Sequence, residues 1–344
     1  MAKDSYDRDV TPRSYRTSSG TSRVAQKELT RKNVKPELLP RDRRLVCEAE
    51  APVAVRQDDT GSLGNGVLMF FDKAPLVSGQ TMRYLPGKVQ ISYGVVGDIN
   101  SDDGPLQFNE FVDPKNLDPS LKACWLEKGG GAGYRESYEM AMYFDAYMLE
   151  LPNAKFPLHI IVGDEAFYVD LLTADLKEHF GGSPQRTNVE AVFARLEEKF
   201  MGNVFHIHLP YGRGRENNII LNEWTNLYGK NRVLCLDNYL AVTDTMLGIL
   251  AIMSGERTLD EYCRDMAMKA PGDPILDRDQ SPSRIAEVRK ALSVLTPPDG
   301  RIFNFDNSPS TSDKSVNQSP QTMSGRPQVR PNTTGPSTAD EFVL

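Results

Sequence analysis

The 344-residue chain is expected to fold as an α/β protein on a largely parallel sheet. Three observations predict this. Short strand-like runs recur, separated by stretches with apolar residues at helical spacing. Two of the runs lead straight into oxygen-rich loops, Asp58-Asp59-Thr60-Gly61-Ser62-Leu63-Gly64 and Gly163-Asp164-Glu165. Strand, short loop, helix is the place where parallel α/β sheets hold ligands.

The elements follow in order. Ala51 to Gln57 is a short strand, with Arg56 an odd occupant near its end. Val67 to Tyr84 is helical, with a break or restart at Pro75. Val89 to Val96 is the clearest strand, β-branched and bounded by Gly87 and Gly97. Leu106 to Val112 is a shorter strand at the sheet edge, and Leu117 to Leu126 a small helix. A glycine run at 129–133 leads into a helix from Glu136 to Leu149, whose Tyr138, Met142, Ala146 and Leu149 form an apolar stripe read as core. Phe156 to Val162 suits a strand buried on both faces. Thr173 to Phe180 is helical. Thr187 and Glu190 have capping-box spacing before a stripe of Val189, Val192, Phe193 and Leu196. Val204 to Leu209 and Arg232 to Leu236 are the last strands, and a helix runs from there through Met253. Thr258 and Glu261 repeat the capping-box spacing, and Ser281-Pro282 opens a final helix.

Composition sets the outer bounds. Residues 1–44 and 301–344 are rich in polar residues with no apolar periodicity and are expected to be disordered. The ordered part is expected as a domain over 45–256 with appended helices over 257–300. In the first arm Arg41, Arg43 and Arg44 can meet an acidic partner or simply be solvated. The net charge of −7 disfavours a duplex nucleic acid as partner. Four cysteines without CxxC spacing read as reduced thiols, not as a zinc site. No apolar run approaches a membrane span, and the start has no signal-peptide core, so a soluble cytoplasmic protein is expected.

Asp58, Thr60 and Ser62 alternate, so a turning loop can aim all three at one point, with Asp164 adding a carboxylate from another strand. Carboxylate and hydroxyl oxygens suit a hard cation such as Mg²⁺. This Asp-x-Thr-x-Ser spacing resembles the metal-ion-dependent adhesion site of von Willebrand factor A (VWA) domains. The segments Val89 to Asp98, Ser101-Asp102, Pro105 to Phe108, Gly129 to Gly131 and Glu136 to Glu139 extend the resemblance to VWA-like proteins of bacteria and their phages. It covers about Ala51 to Gly255.

The resemblance implies a doubly wound, Rossmann-like, mostly parallel six-stranded sheet in the order 3-2-1-4-5-6, with helices on both faces. It makes Asp58 the anchoring carboxylate, Thr60 and Ser62 the hydroxyl ligands and Asp164 the partner carboxylate of Mg²⁺ or Mn²⁺. Ala132 stands where the family has a threonine. Either Glu136 or Ser137 takes its place, or the site is weaker. Asp98 and Asp102 lie beyond a neighbouring strand and either join the carboxylates or form a turn. Without a metal, Asp58 and Ser62 would only cap the next helix.

The resemblance implies a non-catalytic, metal-dependent protein-binding module. Its partner would present an acidic residue, as a MoxR-class AAA+ ATPase or another assembly factor could. A structural scaffold with a degenerate metal site is the alternative. Asp59-Thr60-Gly61 also spells an aspartic-protease motif, but that chemistry needs a second copy or a dimer of all-β chains. His206 and His208 share a strand face and are weak metal candidates beside the simpler reading of a polar strand. No Gly-x-x-x-x-Gly-Lys-Ser/Thr sequence occurs, so an NTPase is not expected.

Overall fold

A computed structural model describes residues 34–59, 64–127, 134–211, 214–271 and 278–304. The expected disorder of 1–33 and of 305–344 falls outside the described residues, as do Thr60, Ser62 and Ala132.

Six strands build the main sheet: β1 Ala51–Asp58, β2 Val89–Val96, β3 Leu106–Phe108, β4 Leu158–Gly163, β5 Val204–His208 and β6 Val233–Cys235. Their spatial order is β6-β5-β4-β1-β2-β3. All neighbours are parallel except β2 and β3, which are antiparallel. That order places β1 beside β4, as the resemblance implied. The register pairs Asp58 with Val96 and Gly163 with His208, and Gln57 with Val162. Asp58, Gly97, Asp164 and Leu209 therefore come to the same carboxyl edge. All eight residues of β1 are buried, which is why its sequence does not alternate cleanly.

Helices cover both faces. On one face, α1 Gly64–Asp72 and α2 Ala74–Tyr84 are separated at Lys73, with Pro75 in the first turn of α2. There Val53, Val55 and Ile160 meet Val77 of α2 and Met246, Leu247 and Leu250 of α8 Val242–Met253. On the other face Ala54, Val96 and Ile161 pack with α4 Tyr138–Tyr147, α6 Val189–Lys199 and α7 Arg215–Tyr228. The remaining helices are α3 Leu117–Ala123, α5 Thr173–Phe180, α9 Leu259–Met266 and α10 Pro282–Leu292. Helices α9 and α10 pack on α8. Among the described residues, no helix is long and apolar enough to cross a membrane.

Three local readings are refined. The cap of α6 is Asn188, whose side chain accepts from Ala191 N, while Thr187-Asn188 pairs with Asp170-Leu171. The pairing holds Asn188 extended, the backbone shape an N-cap needs. Helix α7 had no counterpart in the sequence reading, although Ile220, Trp224 and Tyr228 lie on one stripe. Residues 34–44, placed in the N-terminal arm, carry a 3-10 turn at Pro36–Leu38 with Leu38 buried, and Arg43 donates to the Phe108 carbonyl; residues 301–304, placed in the C-terminal tail, are held by Ile302 N donating to the Ser254 carbonyl and by buried Phe303.

Arg56 explains its own oddity. Its guanidinium donates through Nε and Nη2 to both oxygens of Asp145 on α4, at 2.8 and 2.7 Å. Its Nη1 reaches the Ser92 carbonyl and hydroxyl, and His159 Nε2 lies 3.0 Å from Asp145 Oδ2. All three side chains are fully buried. A two-pronged arginine–carboxylate pair of this kind fixes α4 against the sheet. It holds Asp145 down at about 2 against burial, which alone would raise it.

Candidate functional site

The carboxyl edge of β1, β2 and β4 gathers carboxylates. Asp58 ends β1 and is buried. Along β1 successive side chains alternate faces, so Asp58 follows Ala54 and Arg56 toward α4 while Asp59 turns away. The contacts agree. The Tyr138 hydroxyl donates to Asp58 Oδ2 at 2.5 Å, whereas Asp59 Oδ2 accepts from Glu127 N. Burial first, and then Asp58, raise Asp59 well above the usual carboxylate range.

Two glycines make this crowding possible. A Cβ on Gly163 would lie 2.1 Å from the Tyr138 hydroxyl, so only glycine leaves room for that hydroxyl to reach Asp58. A Cβ on Gly97 would lie 2.3 Å from Asp102 Oδ2 and 3.6 Å from Asp59 Oδ1. The bare backbone there lets Asp102 fold back, where its Oδ2 accepts from Asp98 N.

Glu136 sits at the centre of the group. The bridge between Arg135 and Ala166, with Glu136 N donating to the Ala166 carbonyl, brings it to Glu165. Burial and then Asp58, Glu165, Asp102 and Asp98 push its carboxyl up to about 11. Burial and Asp58 push Glu165 up to about 7, although a hydrogen bond to Glu136 opposes this. Glu136 is 1% exposed, and its Oε2 is buried with no hydrogen-bond partner among the described residues. Asp164 is buried too, and close enough to act with Asp58 and Glu136 on the Tyr138 hydroxyl.

The other candidates are placed as follows. Asp98 Oδ1 accepts from Asn100 and from the Ser137 hydroxyl, and its Oδ2 from the Tyr168 hydroxyl. The bonds to Asn100 have the form of a turn, yet Asp98 and Asp102 also join the carboxylate group. Ser137 is engaged by Asp98 and by Ile99 N. Glu139, not singled out from sequence, accepts from Tyr168 N, and burial pushes it up to about 8. Tyr138 belongs to the core, as its stripe indicated, but its hydroxyl is part of the site. Its signal was its place right after Glu136-Ser137. The signal for Glu165 was the Gly-Asp-Glu sequence itself.

His206 and His208 do share a face, with His206 Nε2 3.4 Å from His208 Nδ1. His206 stacks on Trp224 and His208 bonds Asn217. Burial lowers the pKa of both, so they are neutral packing groups. Among the described residues, no three or more His, Cys, Asp or Glu side chains are arranged as a ready metal-binding group.

No protein-family model matches the chain, and no curated protein matches it. Among solved structures the chain is similar to proximal thread matrix protein 1 from the mussel byssus. The TM-score is 0.39 and the identity 14%, over 60% of this chain and 48% of that one. It is also similar to the pilus adhesin SpaC from Lactobacillus rhamnosus GG, with a TM-score of 0.40 and 8% identity, over 62% of this chain and 33% of that one. The chain thus spans about half the length of the first and a third of the second.

Proposed function

We propose that this protein is a non-catalytic VWA-like binding module that holds Mg²⁺ or Mn²⁺ at the carboxyl edge of its sheet and engages an acidic residue of a protein partner. The observation that carries this reading is the buried, unpartnered Glu136 Oε2 amid Asp58, Asp98, Asp102 and Glu165. Carboxylates this close raise one another's pKa unless a cation lies among them. The donors are all oxygens, the chemistry a hard cation takes. The sheet order and the adjacency of β1 and β4 support the doubly wound, Rossmann-like VWA arrangement.

In this reading Asp58, Thr60, Ser62 and Asp164 hold the ion, with Glu136 supplying the oxygen that the family takes from a threonine. A bound ion supplies an open coordination position for the partner's carboxylate. Tyr138 orients Asp58, and Ser137 and Tyr168 orient Asp98. A MoxR-class AAA+ ATPase is one partner the resemblance suggests. The second reading is an assembly scaffold with a degenerate site. Ala132 at the threonine position favours it, as does the lack of a ready metal-binding group among the described residues.

Calorimetric titration with Mg²⁺ or Mn²⁺ separates the two. Wild type should bind one ion, Asp58→Ala should abolish binding, Asp164→Ala should weaken it, and Asp59→Ala should leave it nearly intact. At a hundredfold excess over the dissociation constant the ion should stabilise the fold by roughly 2.7 kcal/mol. A wild type that binds no ion at millimolar concentration leaves the scaffold.

A further inference from the structure

A second concave site lies at the far end of α4. A cavity of about 460 Å³ opens there, a size typical of small-molecule sites. Arg43 and Arg44 are among its lining residues. Tyr143, Met148, Phe180 and Pro184 supply apolar lining, with Tyr143 and Phe180 stacked at 5.1 Å between ring centres, and Asp42 also lines the cavity, its carboxylate 3.7 Å from Arg41. Gly182 and Ser183 close the rim, and their amides donate to no acceptor among the described residues.

The backbone around this cavity is held in unusual shapes. Asp42, a non-glycine residue, has φ +56, and Gly181 and Gly182 have φ +74 and +64. A Cβ on Gly181 would lie 1.9 Å from Asp42 Oδ1. Asp42 N donates to the Phe180 carbonyl and locks the two segments together. Positive φ in a non-glycine residue persists only where the surroundings enforce it, and it clusters at binding sites.

Two helix C-termini point their carbonyls toward this end, which by itself would favour a cation. Those carbonyls already have donors. Arg41 reaches the Glu178 carbonyl and Gly181 N that of Lys177. Lys199 reaches the carbonyls of Asp145 and Leu149, and Arg195 that of Ala146. Arg43 is held by the Phe108 carbonyl and Glu110, and Arg44 is left to the cavity with Glu150 at 3.4 Å. The Arg44 and Glu150 side chains are 66% and 58% exposed. Exposed pairs of this kind contribute little and exchange readily for another anion.

We propose that this cavity binds a small organic anion, its carboxylate, sulfonate or phosphate head at Arg44 and the Gly182 and Ser183 amides, its apolar body over Tyr143, Met148 and Phe180. The site is independent of the carboxylate edge at the other end of α4.

The test is a fluorescence titration of the full chain with anilinonaphthalene sulfonate, an aromatic anion, and with neutral phenylnaphthylamine. Wild type should bind one sulfonate per chain at micromolar concentration. Arg44→Glu and Ser183→Trp, each confirmed as folded by circular dichroism, should both weaken it by roughly tenfold or more, the first by removing a charge-assisted contact and the second by filling the cavity. The neutral dye should bind weaker by a similar factor. Arg289→Glu, a surface charge change on α10, should stay within twofold of wild type. The proposal is overturned if wild type shows no saturable binding, if the neutral dye binds equally, or if either of the first two variants keeps wild-type affinity.

Discussion

Helix α4 joins two regions of opposite chemistry. At its N-terminal end lie Glu136, Glu139, Asp58 and Asp98; at its C-terminal end lie Lys199, Arg195, Arg43 and Arg44. Ten residues of helix separate them, about 15 Å. The direction agrees with the helix dipole, which favours anions at the first turn and cations at the last. The degree of satisfaction does not match. Most of the basic end is paired internally, since Lys199 and Arg195 cap carbonyls that the helix leaves open and Arg43 holds the Phe108 carbonyl, while Arg44 meets only the exposed Glu150 among the described residues. At the acidic end buried carboxylates crowd one another, and burial with Asp58, Glu165, Asp102 and Asp98 raises Glu136 to about 11. Between them Asp145 shows what a satisfied buried carboxylate looks like, held at about 2 by Arg56 and His159. Under the proposed function the crowded carboxylates are where the cation belongs.

The largest effect should come from breaking the satisfied middle. Arg56→Met leaves Asp145 buried with only His159, and should destabilise the fold by about 3–5 kcal/mol in urea denaturation. The double variant Arg56→Met with Asp145→Leu should recover most of that loss. A single variant as stable as wild type would mean that the pair does not fasten α4.

A smaller loss should follow at the acidic end. Tyr138→Phe removes the hydroxyl that Asp58 accepts from, and should cost about 2 kcal/mol at neutral pH without added ion. Saturating Mg²⁺ should shrink the difference, because the ion then balances Asp58 in place of the hydroxyl. An equal loss with and without the ion would separate Tyr138 from the site.

The smallest effect is a sharper comparison, read from pH. Glu136 has its pKa raised in the fold from 4.5 to about 11, so its contribution is present below about 4.5 and is lost as pH rises toward 11. Glu139 and Glu165 act in the same direction toward about 8 and 7. The middle of the helix runs the other way. Asp145 contributes above 3.8, and its contribution is lost as pH falls through about 2. Buried His159, lowered from 6.5, loses its contribution as pH falls below that value. Glu136→Gln should therefore be more stable than wild type by at least about 1 kcal/mol at pH 8 in the presence of chelator, and the gain should vanish by pH 4. A pH-independent difference between the two would contradict the charge argument.

Much of the fold was legible because its signals are local. Val89–Val96 and Thr173–Phe180 have the bounds their sequence indicates, and the Thr258–Glu261 capping box forms as spaced. Caps, turn residues and periodicity act over a few residues, so they survive in a single sequence. The strand-end positions of Asp58 and Asp164 were legible for the same reason. The partners were not. Arg56 finds Asp145 across 89 positions, Tyr138 finds Asp58 across 80, and the Arg43-Arg44 pair finds the Gly182 rim only when Asp42 locks onto Phe180. Tyr138 and Met142 look alike in a helical stripe, and nothing local says that one faces a carboxylate through the gap at Gly163. Which polar groups are satisfied depends on the register of β1 against β4 and on the tilt of α4 over both. Those are set by core packing summed over the whole sheet, so the tertiary structure alone decided where the buried carboxylates would gather.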